Sequence, residues 1–289
     1  MSLITIIFIV ILAVIILFLL ALHLGFKAPR TRETKTPKDF GLEYQEVSIP
    51  TVFDNDSSKK LFGWLLPIKD SQATVIILHG WGGNAEWMLP IAKPFYQAGM
   101  NVLLIDSRCH GNSDGAMFSS LPRFAEDMGS AINWLKDKHP QRSQKLALVG
   151  HSVGAGAVLL EASRRKDIDA VISISAFAHP EWMMKRYLGS FPIPQFIITI
   201  ILSYVQWLIG LRFASFAPIA TVCTINVPVL IVHGKADTIV PIEDAHAIMK
   251  HCPEPHLTLF EVDDAGHESV DKFEEHSEKL VLFLKANLK

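Results

Sequence analysis

Cysteine is scarce in this chain: Cys109, Cys223 and Cys252 are the only three in 289 residues. They form no CxxC pair and an odd number cannot all be bridged, which excludes a disulfide scaffold and a cysteine-based zinc site. Twelve histidines occur without an HExxH pattern, so neither a metal nor a cofactor is expected. An excess of one charge is also missing. Lysine and arginine number 27 against 29 aspartates and glutamates, a net charge of −2, with no dense basic helix, which argues against nucleic acid as a partner. There is no internal repeat. The glycine-rich stretch His79-Gly80-Trp81-Gly82-Gly83-Asn84 lacks the GK[ST] ending and the GxGxxG spacing of phosphate-binding loops.

One further absence is local. No charged side chain precedes Lys27, and between Leu3 and Leu22 only Thr5 is not apolar. A helix of that length covers about 30 Å, the thickness of a bilayer core. A signal peptide would carry a basic start, a shorter core and a small-x-small cleavage site. Residues 1–26 are therefore expected to form a transmembrane anchor, with a signal peptide and a buried helix as the alternatives. Lys27, Arg30, Arg32, Lys35 and Lys38 follow, interrupted only by Glu33. They predict a solvated juxtamembrane linker at 27–42. By the positive-inside rule they also predict a single-pass membrane protein whose main domain is cytoplasmic.

Residues 43–289 read as one α/β domain. Short β-branched runs at 43–49, 61–66, 74–79, 101–106, 145–149, 169–175, 228–233 and 256–262 predict strands. Helical patterns at 85–97, 121–138, 242–251 and 270–287 alternate with them, which implies a mostly parallel sheet with helices on both faces. The stretch at 179–226 breaks this rhythm. It is rich in Trp, Met, Phe and Ile, and includes the sixteen-residue apolar run 196–211. So long a connection is expected to be a helical cap over the strand ends. A cap that also dips into the bilayer, a second membrane segment and a plain core helix are the competing readings.

Leu146–Gly156 carries the chemistry. An apolar run ends in Gly150-His151-Ser152-Val153-Gly154 and passes into a small-residue helix pattern. Gly-x-Ser-x-Gly arises by chance in roughly one chain of this length in ten, so the pattern needs partners. In a strand–turn–helix context, Ser152 stands at the tip of a sharp turn, beside the N-terminal N–H groups of the helix. A serine nucleophile needs a base and an orienting carboxylate, and both should follow strand ends in a parallel sheet. Asp237 follows the 228–233 run and His267 follows the 256–262 run, giving the order Ser, Asp, His. Asp263 and Asp264 are rival acids, too close to the histidine in one loop to orient it easily. The backbone N–H groups of Val153 and Trp81 are the expected oxyanion donors. Cys109, beside His110, lies in the wrong loop to be the nucleophile.

On these residues the chain resembles the α/β-hydrolase family, in particular its membrane-anchored serine hydrolases and their serine-aminopeptidase and monoacylglycerol-lipase-like relatives. The matching stretches are His79–Gly83, Asp106–Ser113, Gly150–Gly154, His233–Asp237 with Val240-Pro241, and Gly266-His267, within about residues 44–288. The family's middle motif has glycine where this chain has Cys109, from which a modest loop adjustment is expected. The resemblance implies the α/β-hydrolase fold with Ser152, Asp237 and His267 as catalytic residues. The apolar cap and the anchor point to a lipophilic acyl ester as substrate. A thioesterase or peptidase of the same fold, or a non-catalytic binding protein, are the alternatives. The peptidase reading suffers because only Glu181 is acidic in the cap region.

Overall fold

The β-branched runs assemble into one sheet in the computed structural model. It describes residues 2–25 and 27–288, with positions 11, 14, 15, 21, 24 and 25 described in backbone only. In chain order the elements begin α1 (Leu3–Gly25), β1 (Gln45–Pro50), β2 (Lys60–Leu66), β3 (Ala73–Leu78), α2 (Leu89–Gln97), β4 (Asn101–Ile105), α3 (Leu121–Lys138), β5 (Lys145–His151) and α4 (Val153–Arg164). They continue with β6 (Ala170–Ile174), α5 (Pro180–Gly189), α6 (Gln195–Ile209), α7 (Pro218–Thr221), β7 (Val229–Gly234), α8 (Ile242–His251), β8 (Leu257–Val262), α9 (Val270–Glu275) and α10 (Ser277–Asn287). The strand order is β1-β2-β4-β3-β5-β6-β7-β8. β2 runs antiparallel to β1 and β4, and every other neighbouring pair is parallel.

β3 shows why its run has no polar alternate. Ile76 and Leu78 enter a core with Phe124 and Met128 of α3 and Val158 of α4. Val75 and Ile77 enter the opposite core with Phe95 of α2, Phe273 of α9 and Leu284 of α10. The two-residue period divides one apolar strand between two buried faces. Truncating either kind of residue to alanine costs about 2–5 kcal/mol.

Register then positions the loops. Leu78 pairs with Gly150, and Gly234 pairs with Val262. The loop after β3 therefore leaves the sheet beside the β5–α4 turn, and the loops after β7 and β8 emerge together at the same edge.

Three differences from the sequence reading stand out. The helix expected over 270–287 is two helices, interrupted at His276, whose ring packs edge-on against Phe260 at 5.7 Å. The expected helix at 85–97 begins as a 3-10 turn, Glu86–Met88, before α2. The segment 27–42, expected as a solvated linker, lies along the domain. The Arg30 guanidinium donates to the Ser113 carbonyl, Asn84 Nδ2 donates to the Thr31 carbonyl at 3.2 Å, and Glu86 accepts the N–H groups of Thr34 and Lys35. The charged side chains suggested full solvation, but the main chain between them has partners in the loops after β3 and β4.

α1 is a 23-residue helix, and Leu22 near its end packs against the core under α3 and α4. Residues 1 and 26 of the expected anchor lie outside the described residues. Among the described residues no single helix is long and apolar enough to cross a membrane. α6 and the helical turns after it reach that length together but are bent by 51°.

Candidate active site

Ser152 joins β5 to α4 with φ +54° and ψ −115°, a backbone region that side chains disfavour. Its N–H donates to the Ile174 carbonyl of β6 at 2.9 Å, which pins the turn to the sheet. A Cβ at Gly150 would stand 2.2 Å from the Gly154 carbonyl oxygen, and one at Gly154 would stand 2.4 Å from the His79 carbonyl oxygen. Only glycine at both positions lets strand, turn and helix close this tightly.

The loops after β7 and β8 bring the other two expected residues to this turn. His267 Nε2 lies 2.9 Å from Ser152 Oγ, and its Nδ1–H donates to Asp237 Oδ2 at 2.7 Å. Asp237 Oδ1 accepts the N–H groups of Ile239 and Val240 at 2.9 and 2.8 Å. Burial pushes the Asp237 carboxyl up, but the His267 hydrogen bond and charge, with the Val240 N–H, outweigh it and hold the carboxyl below its ordinary value. The rival acids do not reach the imidazole: Asp263 is exposed and pairs with Lys235 at 2.8 Å, and Asp264 sits in the turn beyond it.

The expected oxyanion donors flank the serine. Val153 is the first residue of α4, so its N–H has no acceptor within the helix. The glycine loop after β3 passes directly over the serine, since a Cβ at Gly80 would stand 3.1 Å from Ser152 Cβ. The next N–H, that of Trp81, donates to no acceptor among the described residues. The Trp81 indole stacks over Phe124 at 6.3 Å and faces the same cavity as Ser152.

The supporting roles of several residues escaped the sequence reading. His151 donates from Nε2 to the His267 carbonyl at 2.8 Å and so fixes the backbone that carries the imidazole. Burial lowers His151 to about 4, with the charge of His267 adding to it. His79 donates to the Gly80 carbonyl and accepts the Ser107 N–H, and burial lowers it to about 3. Asp127, fully buried, holds the loop after β4 through Ser107 Oγ, the Arg108 N–H and the Arg108 guanidinium at 2.6–2.9 Å. These residues sit in strands, loops and a helix far apart in sequence, and the contacts between them cross from one local motif to another. Cys109 takes φ +67°, the conformation that glycine supplies in the usual motif. Its Sγ accepts the Ala116 N–H at 3.2 Å, which ties the loop that Cys109 strains.

The cavity above Ser152 has a volume of ≈ 740 Å³. Its walls come from the strand-end loops, from Met183, Met184 and Tyr187 of α5, from Tyr204 and Leu208 of α6, and from Leu22 and Lys27 at the N-terminal side. Glu268 is the only carboxylate on its described lining. A second, polar cavity of ≈ 530 Å³ around Asp54, Arg108 and Glu126 contains none of Ser152, Asp237 and His267. Among the described residues no group of three or more His, Cys, Asp or Glu could hold a metal ion.

An eight-stranded, mostly parallel sheet with a serine turn after its fifth strand, and an aspartate and a histidine after its last two, is the architecture of an α/β-hydrolase. Comparison with known proteins agrees: residues 69–218 match the family model described as serine aminopeptidase, S33. The chain belongs to this family and is an α/β-hydrolase enzyme. Among curated relatives, the uncharacterized protein YfhR of Salmonella typhimurium is 26% identical over 239 residues, 77% of this chain and 74% of that protein. The uncharacterized membrane protein YNL320W of Saccharomyces cerevisiae is 26% identical over 234 residues, 80% and 76% of the two chains. Among solved structures, the Pyrococcus furiosus esterase Pf2001 is similar with a TM-score of 0.74 and 26% identity, covering 91% of this chain and 97% of its own.

Proposed function

We propose that this hydrolase cleaves carboxylic esters of lipophilic acyl groups by an acyl-enzyme route through Ser152, His267 and Asp237, held at a membrane by α1. The observation that carries the reading is the unbroken chain of hydrogen bonds from Asp237 through His267 to Ser152 at the floor of an apolar cavity. Ser152 Oγ attacks the acyl carbonyl while His267 Nε2 takes its proton. Asp237 keeps Nδ1 protonated and stabilises the imidazolium that forms. The N–H groups of Val153 and Trp81 bind the oxyanion. His267 then protonates the leaving alcohol, and a water repeats the sequence to release the acid.

The division of the chain follows from this reading: an anchor at 1–26, a docked juxtamembrane segment at 27–42 and a hydrolase domain at 43–289. Residues 179–226 act as a cap whose α5 and α6 close the acyl cavity. The basic flank after α1 supports a cytoplasmic domain, and the membrane protein among the relatives supports the anchor. Ester rather than amine-bearing substrates are favoured because the cap's single acid, Glu181, is paired with Lys185 at 2.6 Å. Glu268, the remaining carboxylate at the cavity, is exposed. The test is a panel of p-nitrophenyl esters of increasing acyl length with the purified full chain in detergent. The reading expects turnover that rises from acetate to medium and long chains. Selectivity for acetate refutes the lipophilic substrate, and aminopeptidase turnover without ester turnover refutes the ester.

A further inference from the structure

α6 is a helix at the surface of the domain. Its fifteen residues, QFIITIILSYVQWLI, contain no charged side chain. α3, also at the surface, carries Arg123, Glu126, Lys136, Asp137 and Lys138. Ile198, Ile201 and Leu202 of α6 are buried against the domain. The opposite face presents Phe196, Ile200 and Trp207, which share one side at helical spacing and are 66%, 51% and 75% exposed. A water-facing side would carry polar residues instead.

The side-chain oxygens of Thr199, Ser203 and Gln206 have partners within the chain. Thr199 Oγ1 donates to the Gln195 carbonyl at 3.1 Å, and Ser203 Oγ donates to the Thr199 carbonyl at 2.9 Å. Gln206 Oε1 accepts the Phe213 N–H at 3.0 Å. Such internal pairing lets hydroxyl-bearing residues face hydrocarbon.

The charges near the face are mainly positive. Within residues 176–228 Lys185 is paired with Glu181 and Arg186 with Asp244, so the net positive charge there is that of Arg212, and Lys27 stands at the cavity mouth. This sign suits anionic lipid headgroups. Position points the same way. Leu22 of α1 and Val205 and Ile209 of α6 pack against one core, and Leu22, Lys27, Tyr204 and Leu208 line one cavity. A bilayer that holds α1 therefore lies against α6.

We propose that the Phe196–Ile200–Trp207 face of α6 inserts into the interfacial layer of the bilayer that holds α1. The cavity mouth between α6 and the end of α1 then opens onto lipid and admits an acyl chain to Ser152 without passage through water. The proposal rests on the reading that α1 spans the membrane.

The test uses the full chain reconstituted in phosphatidylcholine–phosphatidylglycerol vesicles. Lipids brominated near the headgroup end of the acyl chain should quench tryptophan emission, and Trp207→Phe should remove most of that quenching. The double variant Ile200→Glu/Trp207→Glu should lower turnover of a long-chain ester embedded in vesicles at least about tenfold, while a soluble short-chain ester stays within about twofold. Quenching that does not depend on Trp207, or vesicle turnover unchanged by the two glutamates, overturns the proposal. Trp207 shielded in a detergent-stable dimer assigns the face to a second copy and also overturns it. Failure of the full chain to float with vesicles refutes the anchor together with the docking face. Absence of turnover on both esters refutes the esterase reading alone, because the quenching still decides the docking.

Discussion

Replacing Gly150 with alanine tests whether the serine turn positions the nucleophile. The added Cβ would stand 2.2 Å from the Gly154 carbonyl oxygen, 2.4 Å from its carbon and 2.7 Å from the Ala155 nitrogen. The shortest of these is about 1.2 Å inside the 3.4 Å at which ordinary contact begins. Every obstacle is backbone, so no rotamer change relieves it. The end of β5 and the start of α4 must part, and Ser152 is the residue between them. A displacement of about 1 Å at a reacting group costs on the order of 100-fold in rate, and the overpacking costs about 1–3 kcal/mol of stability. The assay is kcat on a soluble ester, with urea unfolding in parallel to show that the variant is folded. Gly115→Ala is the control, since a Cβ there meets nothing within 4 Å. Folded Gly150→Ala protein with kcat within about threefold of wild type would refute the reasoning.

Asp237→Asn should lower kcat by about 10³–10⁴ with little change in KM, because the amide no longer fixes the Nδ1–H tautomer of His267; a loss confined to KM would contradict the assigned role. The acid limb of the kcat/KM profile should follow a single proton. Burial disfavours the charged forms of His79, His110 and His151 and holds them near 3, 4 and 4, so none of these three imidazoles gains a proton as pH falls from 8 to 5. A limb of slope two in wild type would count against this. Glu33→Gln should stabilise the protein by about 1 kcal/mol at pH 8 and by nothing measurable at pH 5. Burial raises the Asp106 carboxyl well above 3.8 and the neighbouring Glu33 raises it further. Its contribution to stability is full below the ordinary value and is lost as pH rises through the raised one, and removing the Glu33 charge reduces that loss. Urea unfolding at the two pH values checks it, and an equal effect at both would exclude the carboxyl pair as the cause.

Much of the sheet could be read from the chain because strands buried on both faces have no polar alternate, as in Val75–Leu78. The three residues of the hydrogen-bonded chain could be read because Gly150 and Gly154 mark the turn, and because Asp237 and His267 directly follow β7 and β8. What the sequence hid is long-range. His151 supports His267 across 116 positions, and Asp127 holds a loop nineteen residues before it. Neither contact leaves a periodic or local trace. The docking of residues 27–42 was hidden because the segment is held mostly through its own main chain, at Thr31, Thr34 and Lys35, and main-chain groups are common to every sequence. The left-handed turn at Cys109 was legible only as a departure from the family's glycine.

The central claim is that Ser152 is the nucleophile, and the most direct measurement is where a fluorophosphonate probe attaches. The account predicts a single adduct on the peptide containing Ser152. It also predicts loss of both labelling and ester turnover in folded Ser152→Ala protein. Undiminished labelling of that variant, or an adduct mapped to another serine or to Cys109, would contradict it.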